Sequence, residues 1–289
     1  MDVRYDGPAC IRAMERAEID LAVEWAAREG WNPGLADADA FHAADPGAFL
    51  VAEDRAGEPA ACISAVRYGD GLGVVGFYIV APERRGQGFG IAVWRAGMAR
   101  LHHRLVGLDA VVAEQQRYGR SGFRVAWQNH RYGTAARTPV DVPAGAAEVV
   151  PATSQPFSAL AAYDAAMIAA PREAFLRAWL TLPGHTAVAA VRDGAPTGLG
   201  VVRPCRVGAK IGPLFADDAP TARALFTALV ARTPPGPLFL DVPEPNGEAV
   251  ALAREAGMAP TFETARMYTG VRPAIPLARL FGVTSFELG

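Results

Sequence analysis

Lysine is all but missing from this chain. Of the 28 lysines and arginines only Lys210 is a lysine. That removes one phosphate-binding device at once, because a P-loop needs Gly-Lys-Ser/Thr at the start of a helix. Cysteine is nearly as scarce. The 3 cysteines, Cys10, Cys62 and Cys205, lie far apart and form no Cys-x-x-Cys. This excludes a disulfide framework and a thiolate zinc site, and reads as reduced thiols of a cytoplasmic protein. The 5 histidines show no metal-ligand spacing. His102 and His103 are neighbours expected on different sides of a helix, so no metal is expected. Gly119-Arg-Ser-Gly122 does not complete Gly-x-Ser-x-Gly, so no nucleophile elbow is present. No apolar run is long enough to span a bilayer, and no charged-then-apolar leader opens the sequence; neither membrane nor export is expected. The formal net charge is −2. A nucleic-acid binder would carry clustered positive charge, so nucleic acid is not an expected partner.

What remains is a chain of 289 residues, 51% hydrophobic and 20% charged. That length predicts two domains, each with a sizeable core. Periodicity predicts the elements of a first unit in this order. A strand at 11–14 is followed by a helix at 16–29 capped by Gly30, a loop at 31–34 and a short helix at 38–44. Strands follow at 49–53, 60–68 and 72–80. A long helix from Phe89 to about Leu105, a strand at 108–113, a short helix at 115–121 and a strand at 123–132 close the unit. Residues 139–145, rich in Pro, Gly and Ala, read as a linker.

The order then repeats: a strand at 147–152, helices at 157–167 and 172–182, and strands at 186–192, 199–204 and 209–215. A helix at 220–232, a strand at 238–242, a helix at 246–256 and a strand at 260–270 complete it. Short motifs repeat with it. Leu108-Asp109 matches Leu240-Asp241. Gly122-Phe123 is followed nine residues on by Arg131-Tyr132, as Gly257-Met258 is by Arg266-Met-Tyr268. We read two copies of one fold, residues 1–138 and 146–289.

The first copy holds the most informative stretch. The strand at 72–80 ends in Phe77-Tyr-Ile-Val80, stops at Pro82 and passes through Glu83-Arg-Arg-Gly-Gln-Gly88 into the helix that opens at Phe89-Gly-Ile91. Glycines 86, 88 and 90 therefore sit where a strand hands over to a helix. Helix starts have unpaired N–H groups and a partial positive charge, and glycine lets a ligand approach them. Such a site takes an anion, most often a phosphate. A Rossmann fingerprint would need a third glycine where Val93 stands, and Asp109 opens the next strand where a ribose-binding acid would end one. The remaining pattern is Arg/Gln-x-x-Gly-x-Gly/Ala, met by Arg85, Gly88 and Gly90. A tight turn without ligand is the plain alternative.

This pattern resembles the pyrophosphate loop of the GNAT superfamily of N-acetyltransferases, and Tyr118-Gly-Arg-Ser-Gly-Phe123 resembles the family's Tyr-x-x-x-Gly-Phe. Each half resembles one GNAT domain, so the likeness spans nearly the whole chain. It implies an α/β (α+β) fold of two tandem domains, each a mixed, mostly antiparallel sheet flanked by helices. It implies acetyl-CoA as cosubstrate, no metal, and a small-molecule primary amine as acceptor attacking the thioester directly. The backbone of Arg85, Gly86, Gln87, Gly88, Phe89, Gly90 and Ile91 would hold the pyrophosphate, with Arg84 and Arg85 adding charge-assisted contacts. The N–H of Val80 would polarise the thioester carbonyl. Tyr118 would be the general acid, or simply pack beside Phe123. Glu114 is the first choice of general base; Glu83 reads as a solvated charge. Tyr78 would line the pocket or relay a proton. Trp31 and Asn32 would meet the acceptor, or else pack on the core and shape a turn.

The second copy departs from the pattern. Gly212-Pro-Leu-Phe-Ala-Asp-Asp218 stands where the glycine loop belongs, and Ala253 where the tyrosine does. This copy is expected not to bind acetyl-CoA but to wall the acceptor pocket, with help from Ser285-Phe-Glu-Leu-Gly289. A non-catalytic CoA-binding or regulatory module, an enzyme using another acyl-CoA, and a homodimer remain open alternatives.

Overall fold

The structure is a computed structural model and describes residues 4–289. The first half runs β1 (Arg4–Asp6), β2 (Ala9–Ala13), α1 (Ile19–Arg28), α2 (Asp37–Ala44), β3 (Phe49–Glu53), β4 (Pro59–Tyr68), β5 (Leu72–Val80), α3 (Phe89–Arg100), β6 (Leu105–Val111), α4 (Gln115–Arg120) and β7 (Arg124–Thr134). The second runs β8 (Glu148–Pro151), α5 (Phe157–Ile168), α6 (Glu173–Thr181), β9 (Thr186–Arg192), β10 (Ala195–Pro204), β11 (Ala209–Ala216), α7 (Ala219–Ala231), β12 (Leu238–Pro243), α8 (Gly247–Glu255), β13 (Ala259–Tyr268) and β14 (Leu280–Gly282).

The α3 helix stops earlier than its apolar pattern predicts. Leu105 belongs to β6, because its N–H bonds Gly71 at 2.9 Å and its Cα pairs in parallel with Leu72. His102 and His103 consequently sit in the turn between α3 and β6, ring centroids 3.7 Å apart, rather than on opposite sides of a helix.

The strands form one 14-stranded sheet in the order β1-β2-β3-β4-β5-β6-β13-β7-β12-β11-β10-β9-β8, with β14 against β11. Two neighbour pairs, β5 with β6 and β11 with β12, are parallel; the others are antiparallel. The halves have exchanged their last long strands. β13 of the second half lies beside β6 of the first, and β7 of the first beside β12 of the second.

The repeated motifs explain the exchange. Arg131 faces Asp241 across β7 and β12, and Arg266 faces Asp109 across β13 and β6. Each copy's arginine therefore binds the other copy's aspartate. Arg131 donates to Asp241 at 2.6 and 2.8 Å, and Arg266 to Asp109 at 3.0 and 2.6 Å. All four side chains are buried. Gly122 and Gly257, which precede the exchanged strands, share the left-handed backbone at φ 90° and 75°.

The core is shared as well. Phe41 of α2 stacks on Trp179 of α6 at 6.0 Å and meets Phe77 of β5 edge-on at 5.6 Å. Among the described residues no helix is long and apolar enough to cross a membrane.

Candidate active site

The parallel ladder between β5 and β6 lasts only from Leu72 to Val75 on one strand and Leu105 to Leu108 on the other. Beyond it β5 continues to Val80 and β6 to Val111 without pairing to each other. On its other edge β5 shifts register against β4 between Cys62 and Ser64, where Phe77 adopts φ 47°. This bulge turns β5 away from β6. A cavity of about 610 Å3 opens in the cleft.

The glycine turn closes one end of the cavity. Gly86 and Gly88 take φ 75° and 94°, a region where a side chain is strained, and Gly88 is the residue before the first turn of α3. Gly90 is glycine for a different reason. A Cβ there would lie 2.9 Å from Val80 Cγ2 and 3.1 Å from the Tyr78 hydroxyl, so the helix start rests directly on β5. Gly86, Gly88, Gly90 and Ile91 all line the cavity. Unpaired N–H groups at a helix start with no side chain over them fit a diphosphate.

The end of β5 presents its backbone to the same space. N–H groups alternate between the two edges of a strand. Ala81 N–H bonds Ala60 on the β4 side at 3.0 Å. Val80 N–H therefore faces the other side, where pairing has ended. Arg85 Nε donates to the Val80 carbonyl at 3.2 Å, and its Nη2 reaches Glu29 of the α1 C-terminus at 2.6 Å.

Tyr118 of α4 lines the same cavity. Its ring packs against Trp94 at 5.5 Å and Phe123 at 6.0 Å, and Trp94 in turn meets Tyr78 at 5.3 Å. Burial, reinforced by the nearby Tyr78 and Glu114, holds the Tyr118 phenol well above the usual tyrosine range. It is therefore protonated at neutral pH, as a proton donor must be. Glu114 also lines the cavity, with its side chain 40% exposed and 3.4 Å from Arg117.

Four expected residues lie outside the cavity. Arg84 turns to the β3–β4 turn and binds Asp54 at 2.6 Å. Gln87 folds back on the Glu83 carbonyl at 2.8 Å. The Phe89 ring is buried in the core beneath α3, leaving only its backbone for the turn. Asn32, at φ 52°, exchanges two hydrogen bonds of 3.0 and 2.9 Å with the Val207 backbone. It ties the first half to the hairpin between β10 and β11. Trp31 does line the cavity, its ring 6.5 Å from Phe77.

Further lining comes from the second half, part of it from the Ser285–Gly289 stretch expected to help wall the pocket. Phe262 and Thr264 arrive on the exchanged strand β13, and Phe286 and Glu287 on the segment after β14. Arg131 lies against the rings of both Phe262 and Phe286, 5.5 and 5.1 Å from their centroids. Thr264 had no signal in a strand pattern. Glu287 had one: it is the sole charge in Ser285-Phe-Glu-Leu-Gly289.

The second half has no such opening. Its parallel ladder, β11 with β12, likewise ends after three pairs, Ala209 to Ile211 with Leu238 to Leu240. Here β14 fills the gap, pairing with β11 at Leu214 and Phe215, while Val283 N–H bonds the Asp241 carbonyl of β12 at 2.9 Å. The start of α7 is already capped: the Asp218 carboxylate accepts from Thr221 N–H at 2.8 Å. A diphosphate would meet that acid and a filled cleft.

Comparison with known proteins agrees with this geometry. Residues 14–123 match the acetyltransferase (GNAT) family, and residues 160–282 match an acetyltransferase (GNAT) domain. The chain is 29% identical over 274 residues to the holothin acyltransferase of Pseudoalteromonas sp. (strain SANK 73390), covering 94% of this chain and 92% of that one. A crystal structure from Pyrococcus horikoshii, assigned by name only as an acetyltransferase, superposes with a TM-score of 0.80 at 20% identity, over 100% of this chain and 99% of that one. A tandem GNAT protein from the clavulanic acid biosynthesis pathway superposes with a TM-score of 0.61 at 16% identity, over 94% and 100%. The chain belongs to the GNAT acyltransferases, which use an acyl-CoA cosubstrate, and carries two GNAT domains in tandem.

Proposed function

We propose that the chain transfers the acetyl group of acetyl-CoA to the primary amine of a small molecule, using the first half's cleft alone. One observation carries the reading. The αL glycines, the outward N–H of Val80 and the Tyr118 phenol line one cavity, whereas the matching cleft is filled by β14. The backbone of residues 85–91 holds the diphosphate, and Arg85 supplies positive charge beside it. Val80 N–H donates to the thioester oxygen as negative charge develops there. Tyr118 returns a proton to the departing sulfur. Acetyl-CoA supplies an activated acyl carbon, so no covalent enzyme intermediate is needed. The free, largely buried thiols of Cys62 and Cys205 fit a reducing compartment such as the cytoplasm.

The test is thiol release from acetyl-CoA across a panel of primary amines, repeated with propionyl- and succinyl-CoA. Turnover with acetyl-CoA and one amine class is the expected result. Turnover only with a longer acyl donor would replace the donor and keep the chemistry. Stabilisation by CoA with no thiol release would favour a sensor, a reading that gives Tyr118 no work.

A further inference from the structure

Glu287 is 3% exposed, lines the cavity, and has no hydrogen-bond partner at either Oε1 or Oε2. A buried carboxylate without a donor costs several kcal/mol, and native structures rarely tolerate one that has no task. The structure does not let it escape. The Gly76 Cα abuts the Glu287 main chain so closely that a Cβ there would lie 1.9 Å from its carbonyl oxygen. On either side the segment is pinned: Arg172 donates to Thr284 Oγ1 at 2.7 Å and to the Gly289 main-chain oxygen at 2.9 Å. Tyr68 donates to the Leu288 carbonyl at 3.1 Å, and Leu288 N–H to Ser285 Oγ at 3.0 Å.

Neighbouring cations do not neutralise this acid by contact. Arg131 of β7 is taken by Asp241 of β12, and Arg203 of β10 by Asp37 of α2. Lys210 of β11 reaches the Trp31 carbonyl at 3.5 Å. In the same cavity Thr264 Oγ1 is buried and unpartnered, while Asp109 is occupied by Arg266 and Asn129. Trp31, Phe262 and Phe286 line the same cavity.

We infer that Glu287, supplied by the half that has lost its own ligand, receives the acceptor's ammonium group and takes its proton, with Thr264 as a second polar contact. The acceptor is a primary amine on an aromatic or apolar body. This rests on the acetyl-transfer reading and deepens it. The ammonium gives one proton to the Glu287 carboxylate, and the freed lone pair forms the C–N bond. The C–S bond breaks with its electron pair on sulfur, which takes the Tyr118 proton. The second nitrogen proton restores the Tyr118 phenol, and Glu287 releases its proton to water. One proton leaves per turnover, and no redox partner is involved.

The experiment compares the full chain with Glu287→Gln and Glu287→Asp. With the fastest amine of the panel, Glu287→Gln lowers kcat/KM for the amine about 100-fold or more at pH 7. Its acetyl-CoA affinity stays within about twofold and its Tm does not fall, because an uncompensated charge has been removed. The deficit narrows as the pH approaches the amine's own pKa, where free amine needs no base. Glu287→Asp restores part of the rate. Full activity of Glu287→Gln at pH 7 overturns the inference, as does a loss that comes with lower Tm and weaker acetyl-CoA binding. If the parent chain releases no thiol with any amine, the acetyl-transfer reading fails, and binding decides this one separately. A thermal shift by 2-phenylethylamine in the presence of CoA, present in the parent and absent in Glu287→Gln, supports the ammonium site. Equal shifts, or none in either, overturn it.

Discussion

Gly76 and Glu287 touch backbone to backbone, and only the missing side chain at position 76 allows it. The strand that opens the cleft is thereby fixed against the segment that forms its floor. Gly76→Ala places a methyl group on a main-chain oxygen that cannot rotate aside. The expected result is a loss of about 1–3 kcal/mol of stability and a drop in turnover, seen together in thermal denaturation and thiol release. A Gly76→Ala chain with parental Tm and rate would show that the floor is not held there.

The crossed ion pairs carry a second prediction. Asp241→Ala leaves Arg131 charged and buried, so stability should fall by about 3–5 kcal/mol. Asp109→Ala should do the same through Arg266. Replacing both partners of one pair by apolar residues should recover much of the loss, which a double-mutant cycle in denaturant reads directly. Equal costs for single and double replacements would mean that the pairs are not coupled.

Gly88→Asp puts a carboxylate beside the expected phosphates and forces φ 94° on a residue with a Cβ. Acetyl-CoA affinity should weaken by at least about tenfold, or 1.4 kcal/mol, by calorimetry. The parent titration should saturate at one CoA per chain, since β14 occupies the second cleft. A second equivalent would show that the second half binds CoA as well.

Tyr118→Phe removes the proposed proton donor and keeps the ring against Trp94 and Phe123. Turnover should fall about 100-fold with cofactor affinity nearly unchanged. Because burial holds the phenol above its ordinary range, no loss of rate from its ionisation should appear between pH 7 and pH 9. A Tyr118→Phe enzyme as fast as the parent removes this residue from the chemistry.

His185, buried against Trp179 and Arg203, has its pKa lowered by burial from 6.5 to about 4. Between those values the unfolded chain takes up a proton that the folded chain refuses. Stability is therefore whole above pH 6.5 and falls by about 3 kcal/mol as the pH drops to 4. Denaturant midpoints at pH 7 and pH 4.5 measure it, and His185→Gln should flatten the difference.

Much of this architecture can be read locally. Phe49–Glu53, Leu72–Val80 and Thr186–Arg192 fall where alternation and flanking turns put them, because strand propensity and turn chemistry act over a few residues. Glycines 86, 88 and 90 announce the strand-to-helix turn for the same reason. Pairing partners are a different matter. Nothing within β13 says that it lies beside β6, and so Phe262 and Thr264 could not be assigned to a cavity built 150 residues earlier. Arg84 and Arg85 look alike in sequence, yet Asp54 claims one and Glu29 with Val80 holds the other. The clue to the exchange was nevertheless present. The Asp109/Asp241 and Arg131/Arg266 repeats mark pairs of like position, and two like copies sharing one sheet can satisfy them crosswise.

That crosswise arrangement makes the second copy part of the first copy's cavity. A first half made alone would carry the glycine turn and Tyr118, but not the strand beside β6 or Glu287. A nascent chain therefore completes this cavity only once Phe262, Thr264, Phe286 and Glu287 have been synthesised, and the two copies, once interlocked, can no longer be inherited apart.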